Sequence, residues 1–385
     1  MKRLVRSSLY LAVLKWKQGE IRSLGTFRGS RSDLAVLFDI PPAGDYDHEL
    51  KAVLEPTEYL KQFGSRLEKA CGKRGVFIDA VQVDDERHRA GLSVHPLTEL
   101  LERARLAEGM AYPVTGPGRS IEYQDAVRRF AQFNPEKPIG IRLNAAATFD
   151  DFAGLVRDVR LLMFELGITA DRCFLVVDFG AFEPHDIEAF AKNVAERLNN
   201  LPYLHDWLHI AVAMTSFPKS PKISAGSIGA FKRAEWEFYK RLRTLPLLRV
   251  PIFGDYGLEN PAPGAVGRIS PVAQCRYSTE DYLFIFKGKS TKKPNGYQAI
   301  YPVAEMLIGH EKFFGANFSL GDDYFHQLGT IQKSTGNAST WRWAATDHHL
   351  TQSIRSLRTL VGLPAEEVVP VDEAMSHQLD LLEMG

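Results

Sequence analysis

Short, dense apolar runs alternate along this chain with longer stretches in which apolar residues return every three or four positions. The dense runs are Leu9–Trp16, Leu34–Asp39, Gly75–Val83, Ala111–Val114, Ile139–Leu143, Cys173–Asp178, Trp207–Thr215 and Pro251–Phe253. Continuous Val, Ile, Leu and Phe, rather than strict alternation, is the pattern of strands covered on both faces, as in a parallel sheet. The intervening stretches predict helices over Pro56–Ala70, with Leu60, Phe63 and Leu67 on one face, and over His95–Ala107, Ser120–Phe133, Phe149–Leu166, His185–Leu198 and Ser227–Leu242. A helix or turn starts at Gly19. Eight strands alternating with helices at a repeat of roughly 30–40 residues predict a (β/α)8 TIM-like barrel over residues 1–264. The rival, a doubly wound open sheet, is weakened by the lack of a G-x-G-x-x-G after the first strand.

The last third, 265–385, breaks the rhythm. It predicts a β-hairpin, Ser270–Cys275 with Tyr282–Lys287, turning at Thr279-Glu-Asp281. Tyr297–Phe313 reads as the helix owed after the eighth strand. Phe318–Ser339 is loop-rich, and Asp347 is placed to cap a last helix, His348–Leu360. The tail beyond Pro364 is acidic and reads as loosely held. Together these form a C-terminal hairpin and helical extension packed on the barrel.

Composition narrows the picture without redirecting it. Lys+Arg and Asp+Glu are equal at 47 each, so no global field draws the protein to nucleic acid or a membrane. The three cysteines, Cys71, Cys173 and Cys275, are far apart and odd in number, which argues against a disulfide framework or a cysteine zinc site. After Met1-Lys-Arg, the apolar run Leu9–Leu14 is broken by Lys15-Trp-Lys17, too soon for a signal peptide. No stretch approaches the ~18–20 apolar residues of a membrane span. A cytoplasmic location is expected.

Barrel sites lie at the carboxyl ends of the strands. Polar residues collect there: Lys15 and Lys17, Asp39, Asp79, Thr115, Arg142 and Asn144, Asp178, Thr215 and Ser216, Asp255 and Tyr256. Four converging carboxylates, Asp39, Asp79, Asp178 and Asp255, suit Mg²⁺ or Mn²⁺, and a close pair can divide into acid and base. Asp178, Asp255, Asp79 and Lys15 are the catalytic candidates. Lys17, Arg142 and Tyr256 would hold and orient an anion. The bland reading is that each acid caps a helix or pairs with a neighbouring cation. A second group is Trp341-Arg-Trp343 with His348-His349. If extended, this segment puts both tryptophans on one face, with Arg342 before a helix start whose free N–H groups suit an anion. Trp341, Arg342 and His348 are therefore further binding candidates, against a bland reading as a packed aromatic belt. Arg276, Lys287 and Lys289 of the hairpin, with Lys292 and Lys293 in the loop after it, form the one local basic patch, against a bland reading as a solvated loop.

Several of these stretches together resemble the Beta protein family of bacteria and phages. They are Tyr10-Leu-Ala-Val-Leu-Lys-Trp-Lys-Gln-Gly-Glu20, Val177-Asp-Phe-Gly180, Thr215-Ser-Phe-Pro218, Phe253-Gly-Asp-Tyr-Gly257, Arg276-Tyr-Ser-Thr279, Phe318-Ser-Leu-Gly-Asp322 and Trp341-Arg-Trp343 with His348-His349. The resemblance spans nearly the whole chain, and its opening motif is the most specific part. It implies a single-domain cytosolic protein of a kind often encoded near mobile elements and defence genes, with an uncharacterised activity and so no catalytic residue to carry over. One departure is Asp39, where a glutamate is expected.

Three readings follow. The first is an enzyme of an anti-phage or mobile-element module, acting at the barrel mouth on a phosphate-containing or nucleic-acid substrate. The second is a non-catalytic component recognising a protein or nucleic-acid partner through the Trp341 segment and the basic loop. The third, a glycosidase-like barrel, is placed last because few aromatics fall at the strand ends.

Overall fold

The computed structural model describes residues 8–364 apart from 43–45, 48–51, 54–55, 88–90, 263–271, 293, 295 and 333. Its strands are β1 (Tyr10–Lys15), β2 (Leu34–Asp39), β3 (Tyr46–Asp47), β4 (Ala52–Val53), β5 (Gly75–Asp79), β6 (Met110–Thr115), β7 (Ile139–Asn144), β8 (Cys173–Ala181), β9 (His209–Thr215), β10 (Ser227–Lys232), β11 (Ile252–Asp255), β12 (Val272–Ser278) and β13 (Tyr282–Ser290). Eight of them close into a parallel barrel in the order β1-β11-β9-β8-β7-β6-β5-β2. The barrel is the one the apolar runs predict, with helices between successive strands. No helix among the described residues is long and apolar enough to cross a membrane.

The barrel interior is a packed core rather than a pore. Leu11, Val13, Ala35, Leu37, Phe77, Tyr112, Val114, Phe174, Val176, Ala211, Ala213 and Tyr256 form one inward-facing cluster. Alternation along each strand sends the other residues, such as Tyr10, Val36, Ile78 and Phe253, to the outer face against the helices. Phe77, Tyr112 and Phe174 fill the layer nearest the amino ends of the strands. Two small residues make room for them: a Cβ on Gly75 would lie 2.3 Å from the Tyr112 ring, and one on Gly140 would lie 2.8 Å from Val114.

Helix starts follow local chemistry. Ser120, Asp151 and Asp186 each accept a backbone N–H in the first turn of the helices Ile121–Phe133, Phe152–Leu166 and Ile187–Asn199.

Four expectations fail in the second half. Phe318–Ser339 is not mainly loop: it holds the helix Leu320–Thr330, capped by Ser319. Ser227–Lys232 is not the start of a helix: it is strand β10, which pairs antiparallel with β13 and joins the predicted hairpin in a three-stranded sheet, order β10-β13-β12. The helix there is only Ala234–Leu242. Residues 297–313 hold a short helix, Tyr301–Ile308, packed on this sheet. The helix that completes the barrel after β11 is instead the C-terminal one, Ala338–Leu360. It starts ten residues before the predicted His348, because Asn337 makes a capping box with Thr340 and leaves Asp347 in mid-helix. The predicted acidic tail beyond Pro364, Lys293, and the first residues of the predicted hairpin lie outside the described residues.

Candidate functional site

Side-chain alternation decides which strand-end residues reach the mouth. Along β2, β5, β7 and β8 the inward phase ends on Asp39, Asp79, Arg142 and Asp178. Along β11 it ends on Tyr256, so Asp255 points outward. The four side chains from β2, β5, β7 and β8, with Tyr256, meet at one guanidinium. Arg142 donates from Nε to Asp178 (2.8 Å), from Nη1 to Asp39 (2.5 Å) and Asp79 (3.0 Å), and from Nη2 to the Tyr256 hydroxyl (2.8 Å). Tyr256 in turn donates to Asp178, 2.6–2.7 Å from its two oxygens. Asp178 is fixed further by the N–H of Gly180, whose φ of 63° bends the strand end back over the carboxylate. Arg119 adds a second cation on Asp79, at 2.8 Å.

This cluster is almost dry: the side chains of Arg142, Asp178, Asp39 and Asp79 are 13%, 10%, 8% and 0% exposed. Burial, with Asp79 and Asp178 as like-charged neighbours, raises the Asp39 carboxyl despite Arg142. Burial also acts on Asp79, but Arg119, Arg142 and the Val81 N–H outweigh it and hold that carboxyl below its usual range. Arg142 is buried too, yet the surrounding acids keep it firmly charged. Burial pushes the Tyr256 hydroxyl well above its ordinary value, so it stays a neutral donor.

The metal expectation does not fit this geometry. Asp39, Asp79 and Asp178 converge, but on a guanidinium that takes the oxygens facing the centre, and Asp255 is on the other side of the barrel wall. Among the described residues no group of three or more His, Cys, Asp or Glu side chains is placed to hold a metal ion.

Asp255 anchors a separate network between the wall and the C-terminal helix. It accepts from the Tyr10 hydroxyl (2.5 Å), Arg233 Nη2 (3.1 Å) and the Gly257 N–H (2.9 Å), and lies 3.0 Å from His349 Nε2. Arg233 continues to Glu235 and Gln352.

On the β1 side of the mouth lies a second polar zone. Lys15 donates to the carbonyls of Asn260 (2.9 Å) and Ala262 (3.3 Å), which ties the loop after β11 across the β1 end. Burial lowers its ammonium. Glu259 pairs with Arg276 and, at 3.2 Å, with Arg342. Burial opposes its ionisation, but Arg276 and Arg342 hold it down at about 2. Glu20 is 1% exposed and lies 3.6 Å from Arg342.

The remaining sequence candidates are placed differently from expectation. Trp341-Arg-Trp343 is not extended: it forms the first turns of the C-terminal helix. Trp341 is 3% exposed and donates to the Thr335 carbonyl, and Trp343 donates to Thr26. Arg342 lies within that helix rather than before it, so it has no helix start to share with an anion. His348 is fully buried, stacked on Tyr277 at 3.7 Å and held between Asp322 and the Ser278 carbonyl. Lys289 and Lys292 are exposed at the far end of the small sheet, and Lys287 is half-buried.

Sequence reasoning missed Arg119, Glu20 and Glu259. Glu20 had a signal, since it closes the opening motif. Arg119 had none beyond its place after a strand.

A family model described as Beta protein matches residues 10–355. No curated protein matches the chain.

Proposed function

The chain belongs to the Beta protein family, and from that premise we propose that its barrel mouth is an active site for acid–base chemistry on a phosphate-bearing nucleotide or nucleic-acid substrate. The observation that carries this is the meeting of Asp39, Asp79, Asp178 and Tyr256 on Arg142, from five different strand ends. Simple packing does not call for it. Buried ion clusters commonly cost as much in desolvation as they return, and an apolar layer of similar volume is often as stable or more so. Asp178, the more exposed of the acids and already bonded to Tyr256, is the base. Asp39, whose carboxyl burial raises, is the second acid of the pair. Asp79, kept ionised, and Arg142 set the geometry, while Lys15 and Lys17 face the anion.

Asp178→Asn keeps the shape of the site and removes the base. In a screen against single-stranded and duplex nucleic acids, nucleotides and phosphomonoesters, it should lower turnover about 10²-fold or more. In an anti-phage module the same variant would lose protection in a plaque assay. Wild-type protein that turns over none of these compounds would sink the enzymatic reading.

One observation favours a non-catalytic reading. A guanidinium has five N–H donors, and four of those on Arg142 are already taken. A cluster closed in this way can serve as a recognition surface for a nucleic-acid or protein partner. Tight binding of such a partner without turnover, unchanged in Asp178→Asn, is the outcome that would select it.

A further inference from the structure

Three buried polar atoms without a hydrogen-bond partner fall within five residues, in the turn from β1 into the helix Gln18–Thr26: Trp16 Nε1, Gln18 Oε1 and Glu20 Oε2. Buried polar groups are nearly always paired, and each one left unpaired costs about 1–3 kcal/mol. Glu20 is the most telling. Its Oε2 accepts no hydrogen bond and lies 3.6 Å from Arg342, an ion-pair distance too long for one, and its Oε1 lies 3.4 Å from the Lys15 N–H. It is held in place by a close crossing: a Cβ on Gly19 would lie 2.6 Å from the Ser339 carbonyl oxygen and 2.9 Å from Arg342.

Around Glu20 stand Lys15, Lys17, Arg342 and Glu259, with Arg276 behind Glu259. Four cations against two acids leave this zone cationic. A carboxylate oxygen and an amide oxygen that accept no hydrogen bond call for donors, and the surplus of positive charge around them calls for an anion. The geometry points to a ligand subsite on the β1 side of the mouth that takes a phosphate monoester carrying a hydroxyl or amino donor. Glu20 and Gln18 accept from the donor, and Lys17 and Arg342 hold the phosphate. The zone is at the same end of the barrel as Arg142, so the subsite would orient a substrate whose reacting group faces Asp178. That last step, and the choice of probe, rest on the function proposed above; the subsite itself does not.

Calorimetric titration with guanosine monophosphate, with inorganic phosphate as the comparison, tests it. The nucleotide should bind wild-type protein more tightly than phosphate. Glu20→Gln should weaken the nucleotide about tenfold or more and leave phosphate unchanged, because a charge-assisted hydrogen bond is lost. Lys17→Gln, at a half-buried position away from the core, should weaken both. Equal nucleotide affinity in wild type and Glu20→Gln, or no nucleotide binding by wild type, would overturn the subsite. The titrations are repeated in Asp178→Asn. Binding that depends on Glu20 both there and in wild type, with wild-type protein turning over none of the screened compounds, would leave the subsite standing and the catalytic reading fallen. Turnover that depends on Asp178 but not on Glu20 would do the reverse.

Discussion

Glu20 shows how one side chain can load the stability of the whole fold. Burial is the main reason its carboxyl rises to about 7; Arg342, Lys17 and Lys15 oppose the shift and Glu259 adds to it. In the unfolded chain a glutamate titrates near ~4.3. Between those two values the folded state holds the extra proton, so stability falls as pH rises through that window. Above about pH 7 the full cost of a buried, ionised carboxylate is present; below about pH 4 both states are protonated and the cost is gone. Glu20→Gln should therefore be more stable than wild type near pH 8, by ~3 kcal/mol. The gain should shrink to nothing near pH 4, as read from urea unfolding across pH. A pH-independent difference would mean that Glu20 is not buried as described. Asp347, raised to about 6 by burial, has the same sign and adds to the acid-side stabilisation.

At the scale of elements, one local device appears twice and gives two different results. Asp178-Phe-Gly180 ends β8 and Asp255-Tyr-Gly257 ends β11. In both, the carboxylate accepts the N–H of a glycine with positive φ two residues on. Because β11 runs in the opposite phase, Asp255 is turned out of the barrel and Tyr256 is turned in. Asp255 then serves as a strut, gathering Tyr10, Arg233 and His349 between the wall and the C-terminal helix. Burial acts on its carboxyl, but His349 and Arg233 prevail and keep it below its ordinary range. Asp255→Ala leaves Arg233 paired with Glu235 but takes the shared buried acceptor from the Tyr10 hydroxyl, Arg233 Nη2 and His349 Nε2, and should cost about 3–5 kcal/mol in urea unfolding. A loss below about 0.5 kcal/mol would show that the strut carries no load.

The whole molecule is held together by the C-terminal helix. Its first half, with Trp341, Trp343, Ala344 and Ala345, belongs to the apolar cluster of the small sheet. Its second half, with Leu350, Ile354 and Leu357, belongs to the barrel's outer layer. One rigid helix shared between two clusters couples their unfolding, and β10 adds a second tie, since it leaves the barrel between β9 and β11 to pair with β13. Calorimetry should show a single cooperative transition, with equal van't Hoff and calorimetric enthalpies. Two resolved transitions would mean that the sheet and the barrel are independent units. The expected boundary at residue 264 is a proposal that β10 already crosses, since a strand from the barrel half lies in the sheet of the other half.

Much of this protein was legible before any coordinates. Dense apolar runs at a fixed spacing specify parallel strands and covering helices, because a buried strand must be apolar on both faces whatever surrounds it. Acids at the ends of those runs marked the mouth, and Asp39, Asp79, Arg142, Asp178 and Tyr256 do meet there. What the sequence could not settle was phase and partnership. Whether Asp255 or Tyr256 faces inward depends on one residue of register along β11. Whether carboxylates gather on a metal or on Arg142 depends on distances between strands far apart in the chain. The reading of Ser227–Lys232 as helix failed because its pairing partner, β13, lies more than fifty residues on. The reading of Trp341-Arg-Trp343 as extended failed because a capping box at Asn337, rather than Asp347, sets the helix start. Local pattern determined the elements; tertiary packing alone decided which polar atoms are hydrogen-bonded and which, like the Glu20 oxygen, are buried without a hydrogen bond.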